Sequence, residues 1–171
     1  MRGVPASSRA EITPLSARQV EAVCLLARRV WLATYPDIIS RQQIDAMLAD
    51  RYASQAIHDQ LDKPHHAWRL AMLEDTIAGF AHAYMDESTC KLDKLYVDPT
   101  HQRAGVGRAL FQAIREFARQ QHASRLWLQV NRRNSRAVDA YRKYGFEIVE
   151  ARVFDIGNGF VMDDYVMELA P

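Results

Sequence analysis

Apolar residues recur every three or four positions in the first third of the chain, which is the spacing of amphipathic helices. The first such stretch follows a capping box at residues 16–19, and its apolar face comprises Val20, Val23, Ala27, Val30 and Trp31. We expect this helix to end before Pro36, because proline disfavours helical geometry in the residue that precedes it. The second stretch follows a capping box at residues 40–43, and its apolar face comprises Ile44, Met47 and Leu48. The pattern therefore predicts two helices before Lys63-Pro64 closes the region.

The remainder of the chain alternates strand-like apolar runs with two further helical stretches. Strands are predicted near residues 11–12 and over 67–72, 77–85, 92–97, 126–130, 146–155 and 165–169. Helices are predicted behind Gly105 and Gly107 and over residues 134–143, where Gly145 suits the C-terminal cap. The element order predicts an α+β fold around a mixed, mostly antiparallel central sheet.

Length and composition indicate a single folded unit. With 171 residues, of which 49% are hydrophobic and 25% charged, the chain is long enough to bury a full core. We expect a flexible N-terminal tail over residues 1–9 and one domain over residues 10–171, since no repeat or long linker interrupts the pattern. The start of the chain lacks the apolar segment of a signal peptide, and Cys24 and Cys90 have no partner at metal-ligand spacing. These features predict a cytoplasmic protein.

The charge of the chain is nearly balanced but unevenly distributed. A formal net charge of +1 argues against a protein that acts by coating nucleic acid or an anionic membrane. Residues 1–99 carry a net charge of −2, residues 100–143 carry +8 and residues 144–171 carry −5. Nearly all basic residues of the middle segment are arginines, which suit bidentate contacts to phosphate. Solvated helix faces and an acidic strand would give the same distribution, so charge alone leaves the ligand open.

A glycine-rich turn lies between the predicted strand at 92–97 and the helix that follows it. The sequence Gln102-Arg103-Ala104-Gly105-Val106-Gly107-Arg108 would present backbone N–H groups at the positive end of a helix dipole. No Gly-Lys-Ser/Thr follows, which excludes a nucleotide P-loop, and Leu110 stands where the dinucleotide fingerprint requires glycine. The segment is therefore either a diphosphate site or a plain tight turn.

Three segments together resemble the GNAT family of acetyl-CoA-dependent N-acetyltransferases. They are Leu92 to Pro99, the Gln102-x-x-Gly105-x-Gly107 turn, and Asn134 followed by Tyr141-Arg142-Lys143-Tyr144-Gly145-Phe146. The resemblance covers residues 67–169, and the two early helices also lie where that family has them. It implies the GNAT acyl-CoA N-acyltransferase fold, with helices on both faces of the sheet and with the fourth and fifth strands splayed apart.

The resemblance implies acetyl-CoA as cosubstrate and assigns residues to it. Backbone amides of the turn would bind the CoA diphosphate, from Gln102, Arg103, Ala104, Gly105, Val106, Gly107 and Arg108. The main chain of Leu95, Tyr96 and Val97 would pair with the pantetheine arm like an added strand, and Asn134 would hydrogen-bond the same arm. No metal is required, and the six histidines include no pair at the i, i+4 spacing of a metal site.

Acetyl transfer to an amine needs a proton acceptor for the amine, stabilisation of an oxyanion, and a proton for the departing thiolate. The resemblance assigns the last role to Tyr141, whose alternative is a core aromatic of the last helix. A backbone N–H near Leu95 or Val97 would polarise the thioester carbonyl. Many relatives carry a glutamate on the fourth strand where this chain has Lys91, which leaves Asp93 or a water chain as the base. Asp93 alternates with Leu92, and a solvent-facing side chain is the alternative to a catalytic one.

The acceptor is indicated only by segments outside the CoA motif. Residues 35–48 and 155–165 resemble those of bacterial spermine and spermidine acetyltransferases. Asp163 and Asp164 would attract a cationic amine, although a solvated turn with two acids is an equal alternative. Trp31 and Tyr35 would either wall the acceptor cleft or pack the first helix.

The sequence therefore predicts an enzyme that transfers an acetyl group from acetyl-CoA to a primary amine, with a polyamine or another small amine as the leading acceptor. Two alternatives stay open, namely acetylation of a protein N-terminus or lysine, and a non-catalytic acyl-CoA-binding regulatory module. No nucleic-acid or membrane partner is expected, and a homodimer is compatible with the sequence.

Overall fold

The computed structural model describes residues 9–171, so the predicted tail over residues 1–9 lies outside the described residues except for Arg9. This part of the chain forms seven strands and five α-helices. The strands are β1 (Glu11–Pro14), β2 (His66–Leu73), β3 (Thr76–Asp86), β4 (Thr89–Val97), β5 (Arg125–Asn131), β6 (Glu147–Asp155) and β7 (Val161–Leu169). The helices are α1 (Val20–Thr34), α2 (Arg41–Arg51), α3 (Ser54–Leu61), α4 (Val106–Gln120) and α5 (Ser135–Tyr144). None of these five helices is long and apolar enough to cross a bilayer.

The seven strands form one sheet in the order β1-β2-β3-β4-β5-β7-β6. Neighbouring strands run antiparallel, with the single exception of the parallel pair β4 and β5 within residues 9–171. The predicted α+β fold around a mixed, mostly antiparallel sheet is therefore confirmed. One domain over residues 10–171 stays a prediction.

Helices cover both faces of the sheet, which creates a hydrophobic core on each side. Strand β3 lies between the two cores, and its alternation divides its side chains between them, so that Phe80 joins one core and Ala81 the other. Both residues are fully buried, as expected for a central strand with two covered faces. The helices α1, α2 and α3 cover one face, and α4 covers the other by burying Val106, Leu110, Phe111, Ile114 and Phe117.

The predicted helix starts and ends are mostly found where local chemistry places them. At the start of α2, the Ser40 hydroxyl accepts a hydrogen bond from the backbone N–H of Gln43 over 3.1 Å. Helix α1 ends at Thr34, before Pro36. The prediction of only two early helices is wrong, because the chain turns at Ala53, whose backbone is extended, and then forms α3. No glycine or proline marks that turn in the sequence.

The two parallel strands separate soon after they meet. Residues Thr89–Lys91 of β4 pair with Arg125–Trp127 of β5. Beyond them, the edge of Leu92–Val97 that faces β5 has no strand partner among the described residues. The splay that the resemblance implied is therefore present, and it opens the sheet in its middle.

A β-bulge interrupts β4 beside this opening. Leu92 pairs with Ala83 of β3, and Lys94 pairs with His82, so Asp93 is the extra residue between them. A bulge lets two consecutive side chains leave a strand on the same side. Asp93 and Lys94 consequently both lie on the sheet face that α1, α2 and α3 cover, within reach of His82.

Candidate active site

The splayed strands open into a cleft of about 1060 Å³. Its walls come from the free edge of β4, the start of α4, helix α5, strand β7 and the facing parts of α1 and α2. Most of the predicted site residues line it, namely Trp31, Tyr35, Asp93, Leu95, Tyr96, Val97, Gln102, Arg103, Gly105, Val106, Gly107, Arg108, Asn134, Tyr141 and Asp164. The structure does not bring Ala104 or Asp163 into this lining.

The glycine turn leads into the N-terminus of α4. Gly105 has φ +74° and Arg103 has φ +68°, so the turn uses the left-handed backbone region twice. The first N–H groups of a helix have no carbonyl partner within it and point out of its N-terminus. Arg103, Arg108 and Arg136 also line the cleft. Together these groups fit an anion such as a diphosphate.

Close packing fixes the strand that feeds this turn. A Cβ atom at Gly79 of β3 would lie 2.7 Å from the carbonyl oxygen of Tyr96, so only glycine lets the two strands approach this closely. Asp98, at the end of β4, accepts a hydrogen bond from the backbone N–H of Thr100 over 2.9 Å and pairs with Arg29 of α1. The free edge of β4 is thus held rigidly from the side opposite the cleft, where an extended ligand could add backbone hydrogen bonds.

Helix α5 carries Tyr141 into the cleft. Asn134 begins this helix, because its Oδ1 accepts a hydrogen bond from the backbone N–H of Ala137 over 3.3 Å. The side-chain NH2 group of Asn134 is not used in that cap. Burial raises the pKa of Tyr141 above its ordinary value. The phenol therefore keeps its proton at neutral pH, although the raised pKa by itself makes it a weaker acid.

Four aromatic residues pack beneath the cleft. Trp31 is only 1% exposed, its ring centroid lies 4.5 Å from that of Tyr35, and its Nε1 donates a hydrogen bond to the hydroxyl of Tyr52 over 3.3 Å. The hydroxyls of Tyr35 and Tyr96 lie 3.2 Å apart. Trp31 and Tyr35 both pack in the core and line the cleft, and their contact with an acceptor stays a prediction.

Asp93 is mostly buried, with 15% of its side chain exposed, and is held by three cationic or donor groups. His82 Nδ1 lies 3.0 Å from Asp93 Oδ2, Arg51 Nη2 lies 3.2 Å from Asp93 Oδ1, and Lys94 bonds the same carboxylate. Burial by itself raises the pKa of Asp93, but the His82 hydrogen bond and the charges of Lys94 and Arg51 outweigh it and hold the pKa well below its usual range. A carboxylate with so low a pKa is a weak proton acceptor. The alternative of a solvent-facing Asp93 is wrong.

His82 belongs to a chain of three residues that ends at Asp93. His82 is 1% exposed, and its Nε2 lies 2.9 Å from Nδ1 of His66 on β2. Since His82 Nδ1 donates to Asp93, its Nε2 is the acceptor of the His66 N–H. Burial lowers the pKa of His82, so the ring is neutral and satisfied. No group of three or more His, Cys, Asp or Glu side chains suited to a metal ion occurs within residues 9–171.

Asp163 and Asp164 lie inside β7 and not in a turn, so strand alternation separates them. The side chain of Asp163 is 55% exposed and faces Arg132 at 3.5 Å, outside the cleft. Asp164 is only 6% exposed and lines the cleft, and its Oδ1 is buried without a hydrogen-bond partner among the described residues. Burial raises the pKa of Asp164 to about 6, although the charge of Arg51 opposes the shift. The predicted pair of collecting acids is corrected to a single inward carboxylate.

The charge blocks of the sequence only partly belong to the cleft. Two arginines of the basic segment instead pair with acids of the C-terminal segment on and beside the β5–β7 pair. Arg125 pairs with Glu168 at 2.7 Å, and Arg132 pairs with Asp163. Part of the opposed charge is therefore mutual, as the surface interpretation of the charge pattern allowed.

Four cations of the cleft were missed by sequence reasoning. They are Arg51 at the end of α2, Lys91 and Lys94 on β4, and Arg136 on α5. Lys91 Nζ donates to Gln129 Oε1 of β5 over 2.6 Å, close to the point where the two strands part. Arg51 is far from Asp93 in the sequence, so no local signal could have joined them.

Comparison with known proteins gives one consistent result. The model of the acetyltransferase (GNAT) family matches residues 26–146. An uncharacterized N-acetyltransferase of Mycobacterium tuberculosis is 29% identical over 148 residues, which cover 86% of this chain and 94% of that protein. The spermidine N(1)-acetyltransferase of Thermoplasma acidophilum is 23% identical over 157 residues, covering 90% of this chain and 95% of that protein.

The fold is shared with solved structures over nearly the whole chain. The crystal structure of the PaiA N-acetyltransferase of Thermoplasma acidophilum in complex with coenzyme A superposes with a TM-score of 0.82. The two sequences are 22% identical, and the match covers 95% of this chain and 99% of the other. At that identity the structural similarity shows a shared fold and nothing further.

Proposed function

Because the chain belongs to the GNAT family of acetyltransferases and is an N-acetyltransferase, we propose that it transfers the acetyl group of acetyl-CoA directly to a primary amine of a small cationic molecule. The observation that carries this proposal is the gap between β4 and β5, because one cleft then joins the N–H groups of the glycine turn to the buried Asp164. An anionic cosubstrate and a cationic acceptor would thus meet in one cavity.

We assign the cosubstrate to the turn and the free strand edge. The diphosphate of CoA would accept hydrogen bonds from backbone N–H groups of residues 102–108, with Arg103 and Arg108 adding charge. The pantetheine arm would lie along Leu95–Val97, and the NH2 group of Asn134 would donate to it. Ala104 lies outside the cleft lining, so it would take part through its backbone only.

We assign the acid role to Tyr141. Its phenol stays protonated at neutral pH and would donate a proton to the thiolate as CoA departs. A backbone N–H near Leu95 or Val97 would stabilise the oxyanion of the tetrahedral intermediate. The low pKa of Asp93 gives no support to its predicted role as the base.

Polyamines are the leading acceptor class. Asp50 and Asp164 line the cleft and would attract ammonium groups. The spermidine acetyltransferase among the relatives gives this choice its remaining support. A cytoplasmic location and a homodimer stay predictions of the sequence.

The test is an assay of CoA release from acetyl-CoA with spermidine, spermine and simple monoamines, alongside peptides with a free N-terminus or a lysine. We expect turnover with at least one free amine and weaker turnover with peptides. Tyr141→Phe should lower kcat by about 10²-fold, the usual worth of a general acid, while the Kd for CoA stays within about threefold. Tyr165→Phe, which removes a tyrosine hydroxyl outside the cleft lining, is the control and should keep full turnover.

The opposite outcomes are equally informative. Turnover restricted to peptides would replace the small amine with a protein acceptor. Tight CoA binding without turnover on any acceptor would favour a regulatory acyl-CoA-binding module. Unchanged turnover of Tyr141→Phe would remove Tyr141 from the acid role.

A further inference from the structure

The carboxylate of Asp164 in the cleft has one oxygen without a hydrogen-bond partner among the described residues. Asp164 is 6% exposed, and its Oδ1 makes no hydrogen bond with any described residue. Buried polar atoms are nearly always paired, because an unpaired one costs about 1–3 kcal/mol. Oδ1 itself is sealed from water, and Asp164 meets the cleft through the small exposed part of the residue. A donor bound there would give this carboxylate its missing partner. An ammonium group supplies N–H donors of the required charge.

Neighbouring cations do not pair with the Asp164 carboxylate. Arg51 of α2 and Lys91 of β4 act on it through their charges, but neither bonds it. The hydrogen bonds that they make go to other residues, from Arg51 to Asp93 and from Lys91 to Gln129. Asp164 therefore remains available to a substrate in a way that Asp93 does not.

The remaining neighbours of Asp164 are neutral or occupied. Asn131 of β5 and Arg152 of β6 are its register partners, and the guanidinium of Arg152 is bound by Glu150 at 2.8 Å. Asp163 precedes it on β7 and adds negative charge, and Tyr35, directly after α1, lies near enough for Asp164 to raise its pKa. Burial first and the charge of Asp163 second raise the pKa of Asp164.

We propose that Asp164 is the general base of the reaction, which removes a proton from the bound ammonium group of the acceptor. This inference rests on the proposed function. Asp164 takes one proton from R–NH3⁺, and the nitrogen lone pair forms the C–N bond at the thioester carbon. The resulting tetrahedral oxyanion collapses with cleavage of the C–S bond, the nitrogen loses a second proton, and the thiolate gains one. Amide, CoA thiol and one proton released from Asp164 to solvent balance the reaction.

The pKa of Asp164 suits that role. A base works best when its pKa lies near the operating pH, and burial raises that of Asp164 to about 6. Above that pH the carboxylate is free of its proton and ready to accept one. We therefore expect kcat/KM of the wild-type protein to fall as the pH drops through about 6.

The experiment compares Asp164→Asn with the wild-type protein and with Asp163→Asn, which removes the same charge one residue away on the exposed face. Acetyl-CoA turnover with the best amine of the panel is measured between about pH 6 and pH 10, and the Kd for CoA and the urea midpoint are measured as checks of folding. Asp164→Asn should lower kcat by about 10²-fold at neutral pH, whereas Asp163→Asn should change it less than about threefold.

The pH dependence separates a base from a mere binding group. Without a base only the already neutral amine reacts, so the deficit of Asp164→Asn should shrink to about tenfold or less as the pH nears the amine pKa of about 10. A rise in KM for the amine with unchanged kcat would overturn the base role, and so would a deficit that is constant with pH. A wild-type protein that acetylates no amine would overturn the proposed function and this inference together, while turnover that survives Asp164→Asn would overturn the inference alone.

Discussion

The bulge of β4 and the inner face of β7 each place a buried aspartate in the same cleft, with opposite results. Asp93 at the bulge receives His82, Arg51 and Lys94, and its pKa lies well below the ordinary range. Asp164 on β7 keeps one oxygen without a partner, and its pKa is raised to about 6. Burial acts in the same direction on both, so the donors decide the sign of the shift.

This difference gives the two aspartates different roles, a structural one for Asp93 and a chemical one for Asp164. Asp93 is an anchor that ties α2 to β4 through Arg51, which bonds both its carboxylate and its backbone carbonyl. Asp164 Oδ1 makes no hydrogen bond with the described residues, which leaves the carboxylate free for a ligand. Titratable groups whose environments push their pKa values apart are the usual sign of divided roles in an active site.

The largest change in stability is expected when the carboxylate of Asp93 is removed. Asp93→Asn should lower the free energy of unfolding by about 3 kcal/mol, because it leaves the buried charges of Arg51 and Lys94 without a counter-ion. Urea unfolding at neutral pH measures the change. The control is Asp139→Asn on α5, whose carboxylate is 66% exposed and should contribute less than about 0.5 kcal/mol. If Asp93→Asn lowered the free energy of unfolding by less than about 1 kcal/mol, the contacts of Asp93 would contribute little to stability.

A smaller effect of opposite sign is expected at Asp164. Burial in the folded state disfavours the ionised form of Asp164. The resulting loss of stability is absent below the unfolded-state pKa of about 4 and reaches its full size above a pH of about 6. Asp164→Asn should therefore raise the free energy of unfolding by about 1–2 kcal/mol at pH 7, and this gain should vanish near pH 4. Urea unfolding of both proteins over that pH range tests it. If Asp164→Asn were less stable than the wild type at every pH, Asp164 would stabilise the fold as Asp93 does.

The smallest effect concerns His66, the outer member of the chain that ends at Asp93. His66→Gln should cost at most about 1 kcal/mol, because it disturbs one hydrogen bond and leaves the donors of Asp93 in place. Burial and the neighbouring His82 lower the pKa of His66 to about 4. Its stabilisation is therefore present above pH 6.5 and lost as the pH falls towards 4, so the variant should have a flatter stability curve between those limits. A steeper curve in the variant would contradict this assignment.

Local chemistry explains which parts of the site could be predicted. The glycine turn, the Gly145 cap and the helix that carries Tyr141 are set by residues a few positions apart, and the structure has them where the sequence predicts. The roles of these residues in binding and catalysis stay predictions. What local sequence could not supply is the clamp on Asp93, because the bulge that turns it towards His82 depends on the register between β3 and β4.

The acidic pair shows a different kind of error. The last strand was predicted to begin at residue 165, which left Asp163 and Asp164 in a turn where both could face the same ligand. The strand in fact begins at Val161, and alternation then sends the two side chains to opposite faces. An early start was hard to recognise, because two consecutive acids are unfavourable in a strand and typical of a turn.

The unpaired stretch of β4 has a consequence for which molecules can pair with its backbone. A strand with unused N–H and C=O groups is normally a template for aggregation when it lies at the rim of a sheet. Here the unused edge opens in the middle of the sheet, between α1 on one side and α5 on the other. Another sheet cannot reach it without displacing a helix, whereas a thin linear molecule can enter along the strand. The same backbone groups that would endanger solubility at the rim are thus sheltered from other chains while staying open to a small ligand.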